Sequence, residues 1–207
     1  MVVRLSGLPS EVNVPTDETQ EETQPGEFSI EAPAAPPSGS LGDSGALEDA
    51  HEYLSGDAFV QVDHPRIKRT AADIVGHETD VWKKAMLIHS WVYENIAKNV
   101  VMSVPSALDV LESREGDCNE HTVLYTALAR ASGIPTRIAV GIVWSQDLKG
   151  FYYHAWPEVY AGRWIWVDPT LGQPIADATH IKLVSGGIQK WPELLGFLGK
   201  LKVEVIE

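Results

Sequence analysis

The 207-residue chain is 44% hydrophobic and includes seven Trp and six Tyr, enough apolar material for one domain with an appendage or for two small domains. No apolar run approaches the roughly 18 residues of a membrane span, and the single cysteine excludes an internal disulfide framework and a multi-thiolate metal site. The formal charge of −13 belongs to one stretch: Glu11 to Asp57 holds twelve acidic residues and no Lys or Arg, while the rest carries sixteen basic and seventeen acidic residues, which leaves no basic stripe for nucleic acid.

Residues 1–10 read as a short strand, Val2-Val3-Arg4-Leu5, ended by Gly7 and Pro9. It has no evident pairing partner, so it is expected to be an edge strand or the last strand of a domain preceding this one in a longer protein. The opening lacks the charged, then apolar, then small-residue order of a signal peptide, and localisation stays open. Residues 11–57 are rich in Glu, Pro, Ser, Gly and Thr. Such composition offsets little of the entropy of ordering, so a solvated acidic linker, disordered or loosely draped, is expected.

A domain is expected over 58–190, with 191–207 as a C-terminal extension. Pro65 to Val75 suits a helix with Ile67, Ala71 and Ile74 on one face. Thr79 is placed as the N-cap of a second helix, roughly 80–98, whose stripe of Val81, Ala85, Ile88, Val92 and Ile96 is widened by Trp82, Met86 and Trp91. Core packing explains these aromatics better than a cofactor site. Ser106 starts a short helix, Ala107 to Ser113. Asp117 and Glu120 then form a capping box for a helix whose apolar face is Val123, Leu124, Ala127, Leu128 and Ala131, ended by Gly133 and Pro135. Beyond it the period becomes strand-like: Ile138 to Trp144, Phe151 to Tyr160 and Arg163 to Val167, with turns at Gly150 and Ala161-Gly162. Helices followed by an antiparallel sheet make an α+β domain.

Three residues carry the chemistry. Capping places Cys118 at the first position of its helix, where outward backbone N–H groups and the positive dipole end favour thiolate over thiol and can donate to an oxyanion. An inert cysteine would more naturally sit on the apolar face with Leu124 and Leu128. His154 lies in a strand pattern, where a lone histidine is more often a hydrogen-bonded structural residue than a base. Asp168 precedes Pro169, a common place for a turn-forming Asp. A turn at Ala161-Gly162 sets residues whose numbers sum to about 323 opposite one another, which brings Asp168 within one position of the partner of His154. Together the three define a Cys-His-Asp constellation. Glu120 is explained as the capping-box acid. His121 faces away from the apolar stripe, towards a cleft, without a catalytic role. Cys118, His121 and His154 lack a fourth candidate for a metal site.

The chain resembles the transglutaminase-like family of the papain-like superfamily. The resemblance rests on Arg114-Glu115-Gly116-Asp117-Cys118-Asn119-Glu120-His121, Gly133-Ile134-Pro135-Thr136-Arg137, Tyr152-Tyr153-His154-Ala155-Trp156-Pro157-Glu158-Val159 and Trp166-Val167-Asp168-Pro169-Thr170, over roughly residues 65–183. It implies a papain-like α+β fold with Cys118 as nucleophile, His154 as base and then acid, and Asp168 as orienting carboxylate. It further implies attack on a glutamine or peptide carboxamide of a protein or peptide substrate, a thioester resolved by water or an amine, and no cofactor or metal. A non-catalytic interaction domain and another Cys-His-Asp acyltransferase are the alternatives. Many relatives carry an aromatic residue after the long helix that contributes to the oxyanion hole. This chain has Ile96-Ala97-Lys98-Asn99-Val100 there, with no aromatic, which leaves the second donor unassigned: Asn99 is a candidate, and a surface-loop role explains it better. The substrate loops are expected around Val100 to Pro105 and Trp144 to Gly150.

Overall fold

The computed structural model describes residues 1–9, 12–36, 50–100, 106–186 and 199–207. The chain divides into two compact units. One comprises Met1–Pro33, Ala139–Ala155 and Ala176–Glu207, the other Ala34–Ile138 and Trp156–Ile175. Among the described residues no helix is long and apolar enough to cross a membrane.

The second unit contains the helices α1 (Pro65–Val75), α2 (Val81–Asn95), α3 (Ala107–Ser113) and α4 (Cys118–Ala131). Pro at the first position of α1, with its fixed φ and missing N–H, starts that helix without loss. The N-cap of α2 is Asp80 and not Thr79: its carboxylate accepts from Lys83 N, while the amides of Thr79 and Asp80 are held by Glu78. The helix stops at Asn95, three residues short of the expected end, because Ile96 turns extended and Ala97 hydrogen-bonds to Arg114. α3 ends where Arg114 takes the left-handed conformation at φ 60°, its guanidinium 4.6 Å from the Trp91 ring.

α4 is the hub of this unit. The expected single apolar face is only part of its buried surface: every residue from Glu120 to Ala129 is buried, because α1, α2 and α3 all pack on it. Ile67 and Ala71, Ala85 and Ile88, and Val110 and Leu111 supply the apolar partners, and the buried Tyr125 hydroxyl donates to Ala85 O at 3.2 Å. Two short strands escaped sequence reading: β4 (Ala97–Lys98) pairs in parallel with β5 (Glu115–Gly116), tying the end of α2 to the residues before Cys118. Two-residue strands leave no periodic signal.

The main sheet has the order β8-β7-β6-β9, from β6 (Thr136–Ser145), β7 (Gly150–Tyr160), β8 (Trp164–Trp166) and β9 (His180–Gly186). The three expected strands are present, and β9 is an addition. β7 and β8 pair antiparallel with Glu158 opposite Trp166 and Tyr160 opposite Trp164, a register one residue from the expected sum. Gly162, at φ 87°, makes the turn. Conserving the hairpin, the fully buried Glu158 pairs with Arg137, whose guanidinium lies 4.2 Å from the Trp164 ring. These motif residues therefore hold the hairpin together.

The first unit differs from expectation. β1 (Val2–Ser6) is not an orphan: in the sheet β10-β1-β3-β2 it pairs on one side with β3 (Glu27–Ile30) and on the other with β10 (Lys202–Val205). β2 (Gln20–Gln24) and β3 lie inside the supposed linker. Phe28 and Ile30 point to the same buried side, matching Val3 and Leu5 of β1. Composition averaged over 11–57 hides this alternation, and the partners that order it are remote in sequence. Residues 37–49, with part of the Pro-rich linker stretch, and most of the expected C-terminal extension before β10, lie outside the described residues, as do 101–105 of one expected substrate loop.

Candidate active site

Cys118 is the first residue of α4 and is partly exposed. The capping box forms as expected: Asp117 Oδ1 accepts from Asn119 N at 2.8 Å, and Asp117 N donates to Glu120 Oε2 at 2.9 Å. This fixes the entry to the helix, so the thiol sits where first-turn N–H groups face outward. Sγ is 3.8 Å from Asn119 Oδ1. Gly116 has no alternative: a Cβ there would meet the Glu120 Cβ at 2.1 Å.

Glu120 has a consequence for pH. Burial, and then the adjacent Asp117 carboxylate, push its carboxyl up to about 7 against an opposing hydrogen bond from Asp117 N. Near neutrality it is part-protonated, which keeps one negative charge away from the thiol. Because the folded state holds this proton more tightly than the unfolded one, the cost of ionisation is absent below about pH 4.5. It grows from there to about pH 7 and is complete above. Allowing for solvent screening, it is on the order of 1–2 kcal/mol. Glu120→Gln is expected to flatten the fall in unfolding midpoint between pH 5 and 8, measured by calorimetry against the parent. An unchanged slope would exclude Glu120 as its source.

His121 does not line a cleft. It is fully buried, its Nδ1 2.7 Å from Asp117 O, and burial lowers its pKa against the pull of the Asp117 and Ile96 carbonyls. All-round packing of α4 explains the difference. Asn99 is exposed, its amide donating to Glu115 at 3.0 Å and its backbone N–H to Gly116 O, so it serves the β4–β5 ladder.

Asp168 is fully buried just after β8. Its N–H and C=O both pair with Gln173, and Oδ1 accepts from Thr170 N at 2.8 Å and Leu171 N at 2.9 Å. It is thus the turn former that Asp-Pro suggests. The same bonds hold its carboxylate in one orientation, as an orienting acid requires, so the two readings are compatible. His89 of α2, buried, lies with Nε2 3.0 Å from Asp168 O. Burial depresses its pKa, which keeps the ring neutral and makes Nε2–H the donor to that carbonyl. Sequence reading missed His89; its place one residue after Ile88, in the apolar stripe of α2, was the available signal.

His154 is buried on β7 in the first unit. It meets the ring of His180, the first residue of β9, edge-on, with centroids 5.6 Å apart. His180 is fully buried, its Nδ1 3.2 Å from Asp177 O and 3.4 Å from Asp177 Oδ1. The Asp-x-Thr-His spacing was the legible sign of this turn. Asp177, behind His180, is engaged by that ring and by Thr179.

The family model for the transglutaminase-like superfamily matches residues 68–169, just under half of the chain. An uncharacterized protein of Haemophilus influenzae is 35% identical over 100 residues, 45% of this chain and 27% of that protein, so the match spans about a quarter of its length. Among solved structures, the "Putative Cysteine Protease from Cytophaga hutchinsonii" is similar with a TM-score of 0.58 at 17% identity, over 98% of this chain and 80% of that one, a likeness of fold. The periplasmic domain of TgpA from Pseudomonas aeruginosa matches with a TM-score of 0.49 at 18% identity, over 64% and 49% of the two chains.

Proposed function

We propose that the chain is a thiol acyl-transfer enzyme of transglutaminase-like type, with its catalytic domain over residues 58–190 and Cys118, His154 and Asp168 as its triad. The observation that carries this reading is the placement of the chain's one cysteine, partly exposed, at the first residue of a fully capped helix. The superfamily match and the fixed carboxylate of Asp168 support it.

In this reading the Cys118 thiolate attacks the carbon of a glutamine or peptide carboxamide, and N–H groups of the first turn of α4 receive the oxyanion. His154, protonated by the thiol, returns the proton to the departing nitrogen as the C–N bond breaks, leaving a thioester. Water or an amine then attacks the thioester; His154 takes its proton, and the Cys118 thiolate leaves. Asp168 holds the imidazole in the tautomer both steps need.

A glutamine-containing peptide offered with and without a primary amine tests this. Amine incorporation would make the chain a transglutaminase, and ammonia release or peptide cleavage without incorporation a hydrolase. Absence of every product, unchanged by Cys118→Ala, would favour a non-catalytic interaction domain.

A further inference from the structure

We propose that His180, anchored by Asp177, is the positioning residue that fixes the imidazole of His154. The inference rests on the assignment of His154 as the base. An imidazole on a strand has a broad, roughly two-fold χ2 preference, and a half-turn of the ring exchanges nitrogen for carbon at each edge. A base that must offer one nitrogen to the thiol and the other to its carboxylate cannot tolerate that exchange. The His180 ring, at 60° to that of His154, blocks the turn from one side.

Packing alone would be served by any aromatic residue, but His180 is itself locked. The main-chain and side-chain oxygens of Asp177 converge on its Nδ1, which makes Nδ1–H the donor and turns Nε2 away from Asp177. Asp177 is fixed in turn, its Oδ1 accepting from Thr179 N at 2.9 Å and Thr179 Oγ1 at 2.5 Å. The hydrogen bond from His180 holds the Asp177 carboxyl well below the usual carboxylate range, against its partial burial. The other charged group on this part of β9, Lys182, is paired with Asp17. A fully buried histidine with a dedicated carboxylate is costly to maintain as mere filling.

The test is the pH–rate profile for alkylation of Cys118 by iodoacetamide in the full chain. His180→Ala is expected to slow alkylation about tenfold at pH 6–7 and to shift the profile to higher pH, since misplacing the base destabilises the thiolate it pairs with. His180→Phe, which restores the ring but not its anchor to Asp177, recovers only part of the rate. Asp177→Asn, on a half-exposed side chain, gives a smaller slowing with the unfolding midpoint retained, and it decides the matter alone if His180→Ala does not fold. Profiles of the His180 and Asp177 variants that superimpose on the parent, while His154→Ala is slowed, overturn this inference and leave the triad standing. Parent alkylation no faster than that of a free thiol, and indifferent to His154→Ala, overturns both.

Discussion

Replacing Cys118 by alanine is expected to reduce acyl transfer to background, a loss of at least about 10⁴-fold, because every bond-making step passes through its sulfur. The loss should be chemical and not structural. The side chain is partly exposed, with Sγ 3.8 Å from Asn119 Oδ1, and the capping box that starts α4 is built by Asp117 and Glu120. Unfolding free energies of parent and variant should therefore agree to within about 1 kcal/mol. Cys118→Ser should fail almost as completely, since a hydroxyl at that position is not ionised by an imidazole partner and helix dipole to any comparable degree. Full-length protein with retained turnover after Cys118→Ala would remove the thiol from the reaction.

Lys182→Met is expected to destabilise the first unit by about 2–3 kcal/mol, below the cost of breaking a fully buried pair because Asp17 is partly exposed and keeps the amides of Thr19 and Gln20. Lys182 is only 1% exposed on β9, and its ammonium pairs with Asp17. Its own N–H and C=O are held by the two ends of the Gln20 amide, at 2.9 Å and 2.8 Å, so a side chain from the start of β2 pairs with β9 as a strand would. Burial opposes ionisation of Asp17, but the Lys182 charge and hydrogen bond and the amides of Thr19 and Gln20 outweigh it and hold the carboxyl below its usual value. A carboxylate so depressed contributes stability above its unfolded pKa near 3.8 and loses it as pH falls through the folded value. Urea unfolding should therefore separate parent and variant at pH 7 and show the gap closing below about pH 4. The double variant Asp17→Asn, Lys182→Met should recover part of the loss. A gap that persists unchanged at low pH would mean that lost packing, not the ion pair, is responsible.

The helical half of the fold was largely legible because its signals are local. Pro65, Ser106 and the Asp117–Glu120 box start three helices at the expected residues, and Gly133, at φ 78°, follows the end of α4. The misplaced cap at Thr79 shows the limit of such signals: two adjacent residues can cap, and Glu78 decides by holding the amides of both. The first unit was misread for the opposite reason. β2 and β3 carry little apolar surface of their own and depend on β1, β10 and Lys182, through contacts that reach from Val3 to Val205 and from Asp17 to Lys182. At the site, Cys118 and its caps were readable from spacing, and the β7–β8 register came within one residue. His89 and His180 were not, because the group each meets is remote in sequence or lies across a turn.

The central claim is that Cys118 is a thiolate nucleophile made so by His154. Its most direct test is the initial rate of iodoacetamide labelling of Cys118 at pH 6, in the parent and in His154→Ala. Labelling faster than a free model thiol in the parent, falling to the model rate in His154→Ala, is the expected result. Equally slow labelling of both proteins would contradict it.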